Sequence, residues 1–289
     1  MPLSIAHLGP AGTYAEQAAA VYAHWLSHSF GCESPVLCPE SSITQCLFAV
    51  AERTVSLAVV PVENSIEGGV TFTLDTLWQV PDLLIHQAFV IPIQHCLVTR
   101  ATQLGAIVTV LSHPQALGQC RLWLAQHLPQ AELRPTNSTT EALGEVDQNS
   151  TLAAIASQRA ATLYHLPWLR DNIQDHPDNC TRFWVIRHQQ TQDIPMMNDP
   201  AQHHASLAFS VPQNIPGALV KALAIFADRS INLSRIESRP AKTSLGDYVF
   251  FLDAEVDEKS ERFQSALAAL APLTETLKVL GGYSVVNPV

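Results

Sequence analysis

Residues 57–69 read LAVVPVENSIEGG. The first six are apolar and rich in Val, a short run bounded by turn signals, and they read as a buried strand. The polar stretch that includes Glu63, Asn64 and Ser65 then falls at the carboxyl end of that strand, the edge at which open α/β sheets bind ligands. Asn64 and Ser65, with small neighbours, would present donors to a cleft there. The same residues could also do no more than close the strand in an Asx-type turn.

Working outward, the chain alternates. Further β-rich runs at 4–8, 35–38, 107–111, 132–134, 153–156 and 182–186 are separated by helical stretches, the signature of an α/β layer architecture that extends to about residue 188. Ser42-Ile43-Thr44-Gln45 and Ser138-Thr139-Thr140-Glu141 have the form of capping boxes, in which the serine accepts a backbone N–H and the fourth residue reaches back to the cap. Residues 85–99 are strand-like but straddle Pro92, so they suit a crossover between two lobes better than one central strand. Residues 189–204 are polar, contain two prolines and follow neither period, which makes them a linker. Strands at 207–211, 232–238, 248–256 and 276–286, with helices at 216–228 and 260–270, then give βαββαβ, the ferredoxin-like order. The expected organisation is a domain over residues 1–188, the linker, and a second domain over 205–289.

Composition narrows the function classes. The 289 residues are 47% hydrophobic and 15% charged, enough apolar surface for two unequal cores. A formal charge of −10 with no basic run argues against a nucleic-acid partner, because phosphate binding needs clustered Lys and Arg. The six cysteines, Cys32, Cys38, Cys46, Cys96, Cys120 and Cys180, form no CxxC pair and no zinc-like spacing with histidine. They read as reduced thiols. The adjacent His203 and His204 would point apart on an extended chain, so no metal and no cofactor are expected. The amino terminus has no export signal. The apolar runs are too short to span a bilayer. A cytoplasmic protein without a membrane partner is the expectation.

Candidate chemistry lies at turns. Leu8-Gly9-Pro10-Ala11-Gly12-Thr13-Tyr14 leads from a strand into a helix starting near Thr13, and helix-start N–H groups suit a carboxylate. In Asn179-Cys180-Thr181-Arg182-Phe183, an arginine beside a hydroxyl at a strand mouth would suit the same ligand, since guanidinium binds carboxylate bidentately. Ser112-His113-Pro114-Gln115 and Asn137-Ser138-Thr139-Thr140 are weaker, each readable as capping. No Ser/His/Asp order or metal motif points to hydrolysis.

In order and spacing, GPAGTY, VENSIEGGV, SHPQALGQC, NSTTEA, AAIAS and NCTRF resemble the catalytic domain of prephenate dehydratases. After the linker, Pro216-Gly217-Ala218-Leu219 and Ile236-Glu237-Ser238-Arg239-Pro240 resemble the phenylalanine-binding motifs of an ACT domain. The resemblance implies a two-lobed fold like the type II periplasmic binding proteins, followed by the ferredoxin-like ACT domain. The activity it implies is conversion of prephenate to phenylpyruvate, water and CO2, with phenylalanine as effector. It makes Thr181 the key catalytic residue, with Arg182 beside it to hold a carboxylate, and Thr13, Asn64, Ser65, Ser112, Gln119 and Phe183 as substrate-binding candidates. Asn214, Gly217, Ala218, Leu219, Glu237, Ser238 and Arg239 become effector-binding candidates. No chorismate mutase activity is expected. Arogenate dehydratase and a non-catalytic small-ligand sensor of the same fold stay as alternatives. An isolated ferredoxin-like sheet exposes edges and an open face, and ACT domains pair, so a homodimer or homotetramer is expected.

Overall fold

A computed structural model describes residues 3–31, 33–191, 194–196, 199, 202–212, 215–242 and 246–286. The first lobe comprises β1 (Ser4–Leu8), α1 (Tyr14–Phe30), β2 (Val36–Glu40), α2 (Ile43–Ala51), β3 (Leu57–Asn64), β4 (Gly68–Gly69), α3 (Thr71–Gln79) and β5 (Leu83–Pro92). The chain then crosses to a second lobe made of β6 (Cys96–Val98), β7 (Thr109–Ser112), α4 (Pro114–Gln119), α5 (Arg121–His127), β8 (Glu132–Pro135), α6 (Glu141–Gln148), β9 (Leu152–Ala156), α7 (Gln158–Leu163) and β10 (Trp168–Arg170). It returns to the first lobe as β11 (Cys180–His188). The strand-like stretch broken at Pro92 is therefore the crossover, with β5 in one sheet and β6 in the other.

Both lobes use one strand order. The first runs β2-β1-β3-β11-β5 and the second β8-β7-β9-β6-β10. In each, the strand that crosses between lobes sits fourth and antiparallel to its neighbours, while the first three are parallel. This is the type II binding-protein architecture. Strand β3 shows why its sequence is almost continuously apolar: Leu57 and Val59 face α1, with Ala18, Tyr22 and Leu26, while Ala58 and Val60 face α2, with Leu47 and Val50. A sheet covered on both faces leaves no side of the strand for polar residues.

Ser42 accepts from Gln45 N as expected of a cap. The second box is displaced: Ser138 accepts from Glu141 N, but the Glu141 carboxylate reaches Asn137 N at 2.7 Å, one residue before the serine.

The C-terminal unit comprises β12 (His203–Ser210), α8 (Ala218–Ala227), β13 (Leu233–Pro240), β14 (Tyr248–Ala254), α9 (Glu261–Leu270) and β15 (Thr276–Val286). Its order, β13-β14-β12-β15, is ferredoxin-like. Strand β12 begins at His203, two residues inside the stretch read as linker. One face of this sheet carries α8 and α9 over Leu207, Phe209 and Leu252. The other face is not open, as an isolated domain would leave it: Ala208, Val249, Phe251, Leu280 and Tyr283 join the first-lobe core around Trp184. Strand β15 also pairs parallel with β5 through Val285 and Val286, so the two sheets run on as one. Strand β13 stays an edge.

Candidate active site

The two crossings between lobes, residues 93–95 and 171–179, run side by side and are joined by Ile93 N donating to Asn179 O (2.8 Å) and Ile173 N donating to His95 O (3.0 Å). Polar side chains gather on this hinge. Asn64 ends β3 and stands in register with Thr181 of β11. Gln119 arrives from the end of α4 in the second lobe. Asn64, Gln119, Asn179, Thr181 and His95 are all buried, so each polar atom must find a partner or pay the desolvation cost.

The partners form a directed chain. Asn64 Oδ1 accepts from the backbone N–H groups of Ile66 (3.0 Å) and Glu67 (3.1 Å), which fixes the amide's orientation. Its Nδ2 must then donate, its two hydrogens shared among Asn179 Oδ1 (2.9 Å), Cys180 O (3.1 Å) and Thr181 Oγ1 (3.0 Å). Asn179 Oδ1 also accepts from Ser65 Oγ at 3.3 Å, and Asn179 Nδ2 donates to Gln119 Oε1 at 3.1 Å. Because Thr181 Oγ1 accepts from Asn64, its own hydrogen is available, with no acceptor among the described residues. The Gln119 amide nitrogen likewise has no partner among them. Gln119 as a whole is 6% exposed.

The other expected site residues fall elsewhere. Arg182 corrects the reading made from sequence. Successive strand residues face opposite ways, and Arg182 points away from Thr181 toward the C-terminal sheet, 3.4 Å from Glu63 and 3.7 Å from Asp253 of β14. Phe183 shares Thr181's face but is buried against Phe89 in the core. Ser112 is fully buried and donates to Ile155 O. Thr13 caps α1, accepting from Glu16 N and donating to Leu8 O. Ser65 braces the site from outside, accepting from Cys180 N.

The turn before Thr13 packs against the second lobe. Gly12, at φ +88, has Thr140 and Ala160 so close that a Cβ would meet them at 3.1–3.3 Å. Beside it Arg159 donates to both Glu16 oxygens. Burial pushes the Glu16 carboxyl up, but the Arg159 and Gly12 hydrogen bonds outweigh it and hold the group below the usual range.

Three residues of the network, Asn179, His95 and Tyr14, carried no individual role in sequence. His95 lies 3.0 Å by Nε2 from Gln119 Oε1. Tyr14 Oη donates to Gln94 O at 2.6 Å and lies 3.0 Å from His95 Nδ1. Asn179 and Tyr14 sit inside quoted motifs, while His95 has no local signal at all.

In the C-terminal unit, Gly217 takes φ +85 at the start of α8, followed by Ala218 and Leu219. Glu237 is paired with Arg235 (2.6 Å) and Arg239 with Asp75 of α3 (3.0 Å). Ser238 is exposed, and Asn214 lies outside the described residues. A Cβ on Gly69 would collide with the Glu237 carboxylate, so β13 touches the loop that follows Asn64. Among the described residues no group of three or more His, Cys, Asp or Glu is placed to hold a metal. No described helix is long and apolar enough to cross a membrane.

Comparison with known proteins places these features in a family. A model described as prephenate dehydratase matches residues 5–191, and one described as ACT domain matches residues 205–272. The chain is 39% identical over 281 residues to a bifunctional chorismate mutase/prephenate dehydratase of Aquifex aeolicus, covering 97% of this chain and 73% of that protein. It is 36% identical over 287 residues to a prephenate dehydratase of Lactococcus lactis subsp. cremoris, covering 98% of each. The crystal structure of prephenate dehydratase from Arthrobacter aurescens, in complex with L-Phe, superposes with a TM-score of 0.85 at 32% identity, over 98% of this chain and 90% of that one.

Proposed function

The chain belongs to the prephenate dehydratase family, and from that premise we propose that Thr181, Asn64 and Gln119 carry out the decarboxylative dehydration at the hinge. The enzyme is a prephenate dehydratase with a C-terminal ACT domain. Prephenate loses its ring carboxylate as CO2 and its ring hydroxyl as water, and one proton must reach the departing oxygen. The observation that carries the assignment is the direction of the Asn64–Thr181 bond: with Oγ1 occupied as an acceptor, the threonine O–H is free to donate to the leaving hydroxyl. A hydroxyl is too weak an acid to protonate a free ligand at neutral pH, so its contribution is positional and concentrated in the transition state.

Every side chain of the network is uncharged in its resting form. Burial lowers the pKa of His95, with the Gln119 bond opposing it, and burial raises that of Tyr14. A neutral, buried site stabilises an ionised ring carboxylate poorly relative to neutral CO2. This favours its loss. With Arg182 turned away, the Gln119 amide nitrogen is the donor that meets the substrate from the second lobe.

Phenylalanine bound to the Arthrobacter relative supports reading the ACT domain as a phenylalanine sensor, with Gly217, Ala218, Leu219 and the Glu237–Arg239 stretch as its site. The β13 edge supports a homodimer or homotetramer, and a biosynthetic role suits a cytoplasmic location. Steady-state kinetics with the two substrates side by side test the reading: ultraviolet absorbance of phenylpyruvate formed from prephenate, and chromatographic measurement of phenylalanine formed from arogenate. Preference for prephenate is expected. Turnover of arogenate alone, or of neither, would overturn it.

A further inference from the structure

The directed chain reaches beyond the residues that touch substrate. Gln119 Oε1 already accepts from Asn179 Nδ2 and faces His95 Nε2 at 3.0 Å. An oxygen acceptor demands N–H from the ring, so His95 carries a hydrogen on Nε2. The alternative, a flipped Gln119, would set its NH2 group against the NH2 of Asn179. Asn179 cannot flip in response, because its oxygen meets Asn64 Nδ2, and Asn64 is held by two peptide N–H groups. The tautomer of a histidine is thus set by the backbone at residues 66 and 67, through three carboxamides. On the far side of the ring, Nδ1 lies 3.0 Å from Tyr14 Oη, which also packs edge-on against it at 5.6 Å between centroids.

We propose that His95 is a positioning residue for the dehydration: its Nε2–H, together with Asn179, clamps the Gln119 carboxamide oxygen so that the amide nitrogen is presented to prephenate as a donor. The proposal rests on the dehydratase reading of the site. It excludes a proton wire, because a carboxamide N–H is far too weak an acid to hand a proton along, so His95 acts on orientation and is not the proton source. Burial keeps the ring neutral by lowering its pKa, which is what makes the choice of tautomer matter. Burial also keeps the Tyr14 phenol protonated, so its one hydrogen is shared between Gln94 O and the bare Nδ1.

Two measurements on the full chain test this. In nitrogen NMR spectra of histidine-labelled protein, with His95 assigned through its backbone amide, a neutral ring protonated at Nε2 is expected. A ring protonated at Nδ1 overturns the proposal whatever the activity. In kinetics with prephenate, His95→Gln retains an amide donor near the Nε2 position and should stay close to wild-type kcat. His95→Asn places its amide near Nδ1 and should lose about tenfold in kcat, the size of one neutral hydrogen bond, with KM changing less. Equal kcat in the two variants overturns it. Absence of turnover in the wild-type chain would count against the dehydratase reading and leave the tautomer result standing.

Discussion

Arg182 Nη1 lies 3.7 Å from Asp253 Oδ2, so the residue after Thr181 in the chain is held by a carboxylate of the C-terminal sheet. Asp253 is almost fully buried, accepts from Ser206 Oγ at 2.6 Å, and faces Arg235 at 3.6 Å. At these separations the arginine contacts are ionic and not hydrogen bonds, which leaves Asp253 Oδ2 and Arg235 Nη1 without hydrogen-bond partners. Removing one partner of such a buried group leaves the other charges uncompensated. Asp253→Ala should lower the unfolding free energy by about 3–5 kcal/mol, read from the urea midpoint. Arg182→Met should keep kcat within roughly tenfold of wild type, since a lost carboxylate ligand would cost about 1.5–3 kcal/mol of substrate interaction. A KM raised a hundredfold would return Arg182 to the cleft.

Thr181→Ala should lower kcat by about 10²-fold or more, the effect of losing a positioned proton-transfer group, while the urea midpoint moves little. Thr181→Ser should retain more activity. Near-normal turnover in the alanine variant would remove Thr181 from the chemistry.

Asn64→Asp preserves shape and inverts polarity. The carboxylate can still accept from Ile66 and Glu67, but an oxygen would replace the donor facing Asn179 Oδ1, Cys180 O and Thr181 Oγ1. The Thr181 hydrogen would then be drawn to the new acceptor and away from substrate. A kcat loss at least as large as that of Thr181→Ala is expected, and a smaller loss would mean that the direction of this bond does not govern the reaction.

The lobe contact at Glu16 should titrate. Its folded pKa is held below the ordinary carboxylate value of 4.5, so the stability it contributes is present above about that pH and lost as pH falls through the folded pKa. Urea midpoints of the wild type should therefore drop as pH falls below 4.5, with a flatter acid limb in Glu16→Gln. Identical acid limbs would show that the Arg159 pair contributes nothing measurable.

A chain cut near residue 190 should not behave as an independent enzyme, because Trp184 and Ile85 share their core with Ala208, Phe251, Leu280 and Tyr283. Aggregation or loss of cooperative unfolding is expected. The sensor is better tested in the full chain. Phenylalanine should shift prephenate affinity roughly 5- to 150-fold, a coupling of about 1–3 kcal/mol, and Gly217→Val should abolish the shift while dehydratase activity persists. Gly217 has open space around it but a positive φ that a β-branched residue resists. An unchanged response in that variant would move the effector site elsewhere.

The elements that sequence reveals are those set by local physics. The run at 57–62 is β3 because a strand buried on both faces must be apolar throughout. The break at Pro92 is the crossover because proline cannot donate within a central sheet, and Ser42 caps α2 through a bond three residues away. Asn64, Gln119 and Thr181 are candidates from sequence because each stands in a recognisable motif, and the structure joins them in one network through Asn179. The alternation of β11 even says that Thr181 and Arg182 face opposite ways. It does not say which side is the cleft. That choice was made when the C-terminal sheet packed on Arg182's side and brought Asp253 to it. The second capping box moved by a residue for a similar reason, Glu141 finding Asn137 N.

His95 marks the limit most clearly. Its partners are 24 and 81 residues away, and nothing in the neighbouring sequence separates it from the other histidines. Sequence determined which residues could donate and accept; only the closed network of contacts decided which way each hydrogen bond runs, because a carboxamide or imidazole takes its direction from the last partner in the chain that cannot turn.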